Sequence, residues 1–321
     1  MAEEKLDLKK PGSVIPFLGN FAMSKDGESF HYTELNLANK NVDVLAKTIE
    51  EAKEVYYCYL TGNNIAEPSP LKELLNLVHL DLSKNKIKTL TVFQSEENLV
   101  NLKYLDLNSN QFKEFGAFKC PKLEYLDVSF NKLEKVNDGW AGLPNLKILK
   151  SVDNKFKNMN FIKALPKLEE CYMANNNIAA LEGFSDLPAL KKLHLRRNKI
   201  SKFPEEMTEL PALECLNLRS NQIENMDMVL KLFTSYPALN DLNVINTPVE
   251  LSYSSMNVFL AQLMQTNQKV KRFCKVEVTD AHRLEAVFLG KYKFNKREEE
   301  RIAAEEKAKA EELAAAEQEG G

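Results

Sequence analysis

The chain of 321 residues is 44% hydrophobic and 28% charged, with a formal net charge of −3. That balance describes a folded, soluble protein and excludes the bulk basicity that binds nucleic acid. No run of about 18 apolar residues occurs, so no membrane span is expected.

Residues 1–30 precede any repeat, and SVIPFLGNFAM (Ser13–Met23) is expected to cover the open apolar end of a repeat stack. The pattern L-x-x-L-x-L-x-x-N-x-L then recurs ten times. Its copies start at Tyr32, Val55, Leu77, Leu102, Leu123, Leu146, Leu168, Leu190, Leu213 and Leu239, in steps of 21 to 26 residues. A period held in register over 31–250 reads as a leucine-rich repeat array. One repeat cannot bury its leucines, whereas stacked neighbours share one core. The expected fold is an α/β solenoid, an arc of about ten repeats with a concave parallel β-sheet. At about 4.8 Å per strand, the ten strands trace an inner arc of about 45 Å.

The asparagine column, Asn63, Asn85, Asn110, Asn131, Asn154, Asn176, Asn198 and Asn221, is structural. Where the backbone leaves the strand, a carboxamide can both donate and accept. Lys40 and Thr247 hold that position in the first and last copies. Between strands, short helical or 3₁₀ turns are expected, with Phe112, Phe156, Phe161, Phe184 and Phe203 packed beneath the convex side. The longer insertion before Leu239 has room for a regular helix.

Residues 251–285 read as a helical cap. Phe259, Leu260 and Leu263 fall at helical spacing, a strand-like VKRFCKVEV comes next, and Thr279 is the N-cap of a further helix. Residues 286–321 form an Ala/Glu/Lys-rich tail with Arg301–Glu305 and Glu305–Lys309 at i,i+4 spacing and no heptad seam.

With the core positions assigned, the outward positions form columns. Asp81, Asp106 and Asp127 stack on consecutive strands, flanked by Tyr57, Tyr59, Tyr104 and Tyr125; neighbouring aspartates are expected to repel by about 1 kcal/mol per pair. Farther along, Lys192, His194, Arg196, Arg197 and Arg219 gather near Tyr172 as a basic patch. Tyrosine and arginine are frequent at interface hot spots, so both patches are candidate partner-binding surfaces. No catalytic constellation appears. The four histidines are scattered, P-loop and G-x-S-x-G motifs are absent, and Cys215 faces outward with no base assigned to it. No enzyme activity, cofactor or metal is expected, and no second copy is implied. The five cysteines, Cys58, Cys120, Cys171, Cys215 and Cys274, form no C-x-x-C pair. With no secretory signal in MAEEKLDLKK, they point to a reduced, cytoplasmic location.

The near-22-residue period and the LP-x-L openings resemble the intracellular class typified by the phosphatase regulator Sds22, whose members bind partners on the concave side. LPKLEECYMANNNIAALEGFSDLPALKKLHLRRNKI and LECLNLRSNQIEN resemble the leucine-rich repeat-containing protein 23 family, found at the radial spokes of motile cilia. The resemblance extends through the cap into the tail. It implies a non-catalytic structural adaptor of the ciliary axoneme, with radial-spoke or axonemal subunits as partners. The alternative is a soluble regulatory subunit gripping a phosphatase or other enzyme through the concave face.

Overall fold

In each L-x-L tripeptide the two flanking side chains point one way and the central residue the other, as strand geometry requires. The computed structural model turns every one of the ten copies into a strand. It describes residues 6–23, 27–89, 91–95, 98–116, 118–136, 140, 142–265, 269–291, 296, 299–301 and 304. In chain order the strands are β1 (Leu18–Met23), β2 (Phe30–Asn36), β3 (Tyr57–Tyr59), β4 (His79–Asp81), β5 (Tyr104–Asp106), β6 (Glu114–Phe115), β7 (Tyr125–Asp127) and β8 (Lys135–Val136). They continue with β9 (Ile148–Lys150), β10 (Glu170–Tyr172), β11 (Lys192–His194), β12 (Cys215–Asn217), β13 (Asp241–Asn243), β14 (Arg272–Phe273) and β15 (Val276–Glu277).

Thirteen of these make one sheet, in the order β1-β2-β3-β4-β5-β7-β9-β10-β11-β12-β13-β14-β15. The ladder from β2 to β14 is parallel, and an antiparallel hairpin closes each end. Strands β6 and β8 form a separate parallel pair, which the repeat pattern did not anticipate. Between strands lie 3₁₀ turns such as Lys47–Ala52, Ser69–Glu73 and Thr91–Phe93. The insertion before Leu239 is the helix α1 (Met226–Ser235), whose N-cap Asn225 accepts from the Met228 N–H. Phe112, Phe156, Phe161 and Phe184 are buried beneath it all, and Phe203 packs partly buried against the same core. Trp140, not singled out by the repeat pattern, lies between Phe118 and Phe161, with ring centroids at 6.5 and 6.4 Å.

The asparagine column ties each repeat to the one before it. Asn85 is representative: Nδ2 donates to Leu60 O (2.9 Å) in the preceding repeat and to Leu82 O (3.0 Å) in its own, while Oδ1 accepts from the Ile65 N–H (3.0 Å). Asn63, Asn110, Asn131, Asn154, Asn176, Asn198 and Asn221 make the same bridge, and all eight are buried. In the first copy the Lys40 N–H instead donates to Asn63, and in the last the buried Thr247 hydroxyl donates to Val244 O (2.6 Å).

The bridge demands a tight bend. The residue before each asparagine is left-handed, for example Lys84 (φ 53°), Phe130 (φ 55°), Asn175 (φ 57°) and Arg197 (φ 55°). Only Gly62 among them is glycine, and there a Cβ would lie 2.0 Å from Asn39 Oδ1.

At the C-terminal end α2 (Pro248–Leu251) leads to α3 (Met256–Met264), which buries Phe259, Leu260 and Leu263 as their spacing indicates. VKRFCKVEV becomes the β14–β15 hairpin, with Cys274 (φ 50°) and Lys275 (φ 70°) in its two-residue turn. Thr279 Oγ1 accepts from the His282 N–H, and residues 280–291 are helical. The cap–tail boundary expected at 285/286 therefore falls inside a helix, because buried Ala286 and half-buried Leu289 pack on the core. Glu305 and Lys309, and with them the two i,i+4 pairs read from the tail, lie outside the described residues.

Replacing Asn176 with alanine removes one acceptor and two donors from buried backbone groups of two repeats. A loss of about 2–4 kcal/mol is expected in denaturant unfolding. An unchanged midpoint would remove the column from the stability of the array. Phe130 is an exposed aromatic held in the left-handed region. Phe130→Asn, the residue type already used at 39, 175 and 246, is expected to raise stability by about 0.5–1 kcal/mol in the same measurement.

Candidate interaction surface

Parallel register carries each outward side chain onto its counterpart one strand along. Tyr57, His79, Tyr104, Tyr125 and Ile148 are successive partners, as are Tyr59, Asp81, Asp106, Asp127 and Lys150. The first row is a ladder of rings. His79 and Tyr104 stack at 4.1 Å and 4°, and Tyr104 and Tyr125 at 4.3 Å and 5°. Lys150 Nζ lies 5.0 Å over the last ring. At the other end Tyr57 and Tyr59 meet His79 at tilts of 41° and 49°. Burial lowers the pKa of His79 against the pull of Asp81, so a neutral imidazole sits within the ladder.

The aspartates have a structural duty that their spacing did not reveal. Each accepts the backbone N–H two residues on: Asp81 from Ser83, Asp106 from Asn108 and Asp127 from Ser129, all at 2.9 Å. Asn36, Asn217 and Asn243 do the same in other repeats. These are Asx turns that start the bend completed by the buried asparagines. The expectation of three outward, mutually repelling acids is corrected on two points. Asp127 is buried, with 9% of its surface exposed, rather than facing outward. Asp106 is pushed up to about 6 by burial first, against the opposing hydrogen bond from Asn108, with Asp127 and Asp81 adding less. Desolvation outweighs repulsion.

The five residues of the basic patch divide between strand and bend positions. Lys192 is paired with Glu170 at 2.8 Å, and Glu170 also accepts from the Tyr172 hydroxyl at 2.6 Å. His194 packs against Tyr172 with centroids 4.8 Å apart, and burial lowers its pKa, leaving it neutral at pH 7. Arg196, Arg197 and Arg219 lie beyond the strand ends, in the bends before Asn198 and Asn221. Lys192 and Arg196 both lie within electrostatic reach of His194.

Beside these lies a constellation that no one motif marks. Cys215 Sγ sits 3.4 Å from Asp241 Oδ2 and 3.8 Å from His194 Nε2, and Arg272 Nε donates to Asp241 at 2.9 Å. Chemically it is not a nucleophile. Burial first, then Asp241, pushes the thiol up to about 12, so Cys215 stays protonated and donates. These residues line a groove of about 740 Å³ in which Arg272 pairs with Asp241 and Lys192 with Glu170, while Glu214, Lys271, Lys275 and Glu277, also in its lining, form no ion pair among the described residues. Among the described residues no cluster of three or more His, Cys, Asp or Glu can hold a metal ion, and no helix is long and apolar enough to cross a membrane.

The two halves of the face therefore differ. The strand row of the C-terminal half carries its own pairs, Glu170–Lys192 and Asp241–Arg272, and a rim of Lys147–Glu124 and Lys191–Glu169 pairs runs alongside. In the N-terminal half no lysine or arginine among the described residues forms an ion pair with Asp81 or Asp106. Sequence columns also missed its continuation. Phe21 pairs with Tyr32 and Met23 with Phe30, on the strand face of Glu34, and Phe21, Met23 and Phe30 are largely exposed. The alternation Gly19-Phe21-Met23 was the available signal.

Two family models match, one described as Leucine rich repeat over residues 166–223 and one as Leucine Rich repeats (2 copies) over 100–142. Lumican of Oryctolagus cuniculus is 32% identical over 173 residues, covering 51% of this chain and 88% of that protein. Lumican of Bos taurus is 32% identical over the same length, and there the chain spans 49% of the relative. Among solved structures, a leucine-rich repeat protein of Leptospira interrogans superposes with a TM-score of 0.61 at 27% identity, over 75% of this chain and 60% of that one. A TLR13–RNA complex gives a TM-score of 0.62 at 22% identity over 74% of this chain and 38% of that one, a likeness of fold alone.

Asp106 supplies a pH test. Folded, it holds its proton to higher pH than a carboxyl in the unfolded chain, so its cost grows as pH rises from about 4 to about 6 and is complete above that. Asp106→Asn keeps an acceptor for the Asn108 N–H. It is expected to stabilise the protein by about 1 kcal/mol at pH 7, after discounting for solvent screening, and to make no difference at pH 4. Thermal melts at the two pH values read this directly.

Proposed function

This chain belongs to the leucine-rich repeat family, and we propose that it is a non-catalytic protein-interaction scaffold acting as a structural adaptor of the ciliary axoneme, at a radial spoke. The observation that carries the scaffold reading is the contrast across one rigid sheet face. A half built of stacked rings, whose Asp81 and Asp106 form no ion pair among the described residues, adjoins a half whose strand row carries the pairs Glu170–Lys192 and Asp241–Arg272. Aromatic surface is favourable to bury, whereas satisfied ion pairs resist desolvation. The matching family models are repeat models, and the Cys215–His194–Asp241 cluster holds its thiol protonated.

The axonemal part of the proposal rests on the resemblance of residues 165–200 and 213–225 to the radial-spoke family and on the cap helix leading into a charged tail. Five free cysteines support a reduced cytoplasmic or ciliary setting. Partners are other proteins, with radial-spoke or axonemal subunits proposed first. A second reading, a soluble phosphatase-regulating subunit, draws support from the confinement of the open aromatic surface to one end of the face.

Affinity purification of the tagged full chain from demembranated cilia and from the soluble fraction separates the two. Enrichment of radial-spoke components with the axonemal fraction is the expected result. A soluble one-to-one complex with a phosphatase catalytic subunit, absent from axonemes, would overturn the adaptor and establish the regulator.

A further inference from the structure

The ring ladder has two ends, and the structure treats them differently. At one end an ammonium of the chain itself, Lys150 Nζ, covers the Tyr125 ring at 5.0 Å. A cation is drawn there by the π-face and by the neighbouring acids, which is the ordinary logic of cation–π contacts. At the other end Tyr57 and Tyr59 tilt away from His79, and Tyr57 is 43% exposed. The acidic groups at this end are Glu34, partner of Tyr57 in register, and Asp81, partner of Tyr59. Glu34 accepts from Asn20 Nδ2 at 2.6 Å, Asp81 from the Ser83 N–H, and neither forms an ion pair with a lysine or arginine among the described residues. The Tyr59 phenol is held above its usual pKa by burial first, then by Glu34, Tyr57 and Asp81, which places both carboxylates within electrostatic reach of the same ring. Next to this end, β1 and β2 present Phe21, Met23 and Phe30 to solvent.

We propose that the open end of the ladder seats an extended partner segment in which an arginine or lysine stacks on Tyr57 and Tyr59 between Glu34 and Asp81, while an adjacent bulky apolar residue lies on Phe21, Met23 and Phe30. The proposal rests on the reading that the sheet face binds protein, and it names the chemistry of what is bound. Charge complementarity decides the occupant. An acidic segment would meet two carboxylates that lack a cation, and a neutral one would leave them unrelieved. The internal lysine at the far end shows the ladder already accepting this kind of group.

The test uses the full chain and a short fluorescein-labelled peptide of arginine, leucine, glycine and serine, with its citrulline counterpart, read by anisotropy. The arginine peptide is expected to bind about tenfold more tightly than the citrulline one, with affinity falling as salt rises. Tyr57→Ala with Tyr59→Ala should weaken it by about tenfold. Asp81→Asn, which keeps the turn acceptor for Ser83, should weaken it by about threefold. Lys150→Ala uncovers the Tyr125 ring and should tighten it. Melting temperatures of the variants confirm that they fold. Equal binding of the two peptides, indifference to the tyrosine and aspartate changes, or sedimentation showing a second copy on this face would overturn the proposal. Native co-purification with Tyr57→Ala/Tyr59→Ala separates the two readings. If arginine binding is absent but native partners are lost with the tyrosines, the face binds protein by other chemistry. If arginine binding is present but axonemal partners are absent, the adaptor reading fails alone.

Discussion

A backbone that leaves a strand every 21 to 26 residues must have its buried amides satisfied, and everything else in the array is arranged around that demand. The asparagine column meets it by bonding each repeat to the previous one. Asn85 cannot make its bonds unless Leu60 and Ile65 of the preceding repeat are in place. Local conformation and long-range stacking are thus a single interaction, repeated along the array. The left-handed residue before each asparagine and the aspartate or asparagine that opens many of the bends belong to the same device. Several of these residues, Phe130 and Lys84 among them, accept backbone strain to keep the bend.

Rigid bends have a consequence for the sheet. Because eight successive turns are held by the same bridge, the strands arrive in a common register, and the outward residues align over ten strands. A position in the repeat becomes a continuous row on the surface. The row through His79, Tyr104 and Tyr125 can then stack rings almost parallel, at 4° and 5°, which separate loops would not hold. Within this frame composition alone divides the face. Where the row carries Glu170 and Lys192 it pairs with itself, and at Tyr57 it remains exposed.

The ends follow the same physics by another route. A parallel sheet that simply stopped would expose a row of backbone groups and the apolar core behind them. Here β1 folds back on β2 and β15 on β14, while Leu8, Val14 and the α3 helix bury the leucines that have no neighbouring repeat. The N-terminal hairpin also adds Phe21, Met23 and Phe30 to the open half of the face, so the cap and the surface are one element.

The solenoid, its ten strands, the asparagine column, the α1 and α3 helices and the Thr279 cap are legible in the sequence alone. These are periodic or local features, and a side chain one period away is on average one strand away. Which outward residues are free is not legible there. Pattern places Lys192 in a basic patch and Asp127 among exposed acids, because it reports which way a side chain points and not what meets it there. Glu170 lies 22 residues from Lys192, and Asp241 lies 26 from Cys215 and 31 from Arg272. Those pairings, the burial that shifts Asp106 and Cys215, and the joining of the N-terminal hairpin to the ring ladder come into being only when the chain folds, since each arises from groups that meet across strands.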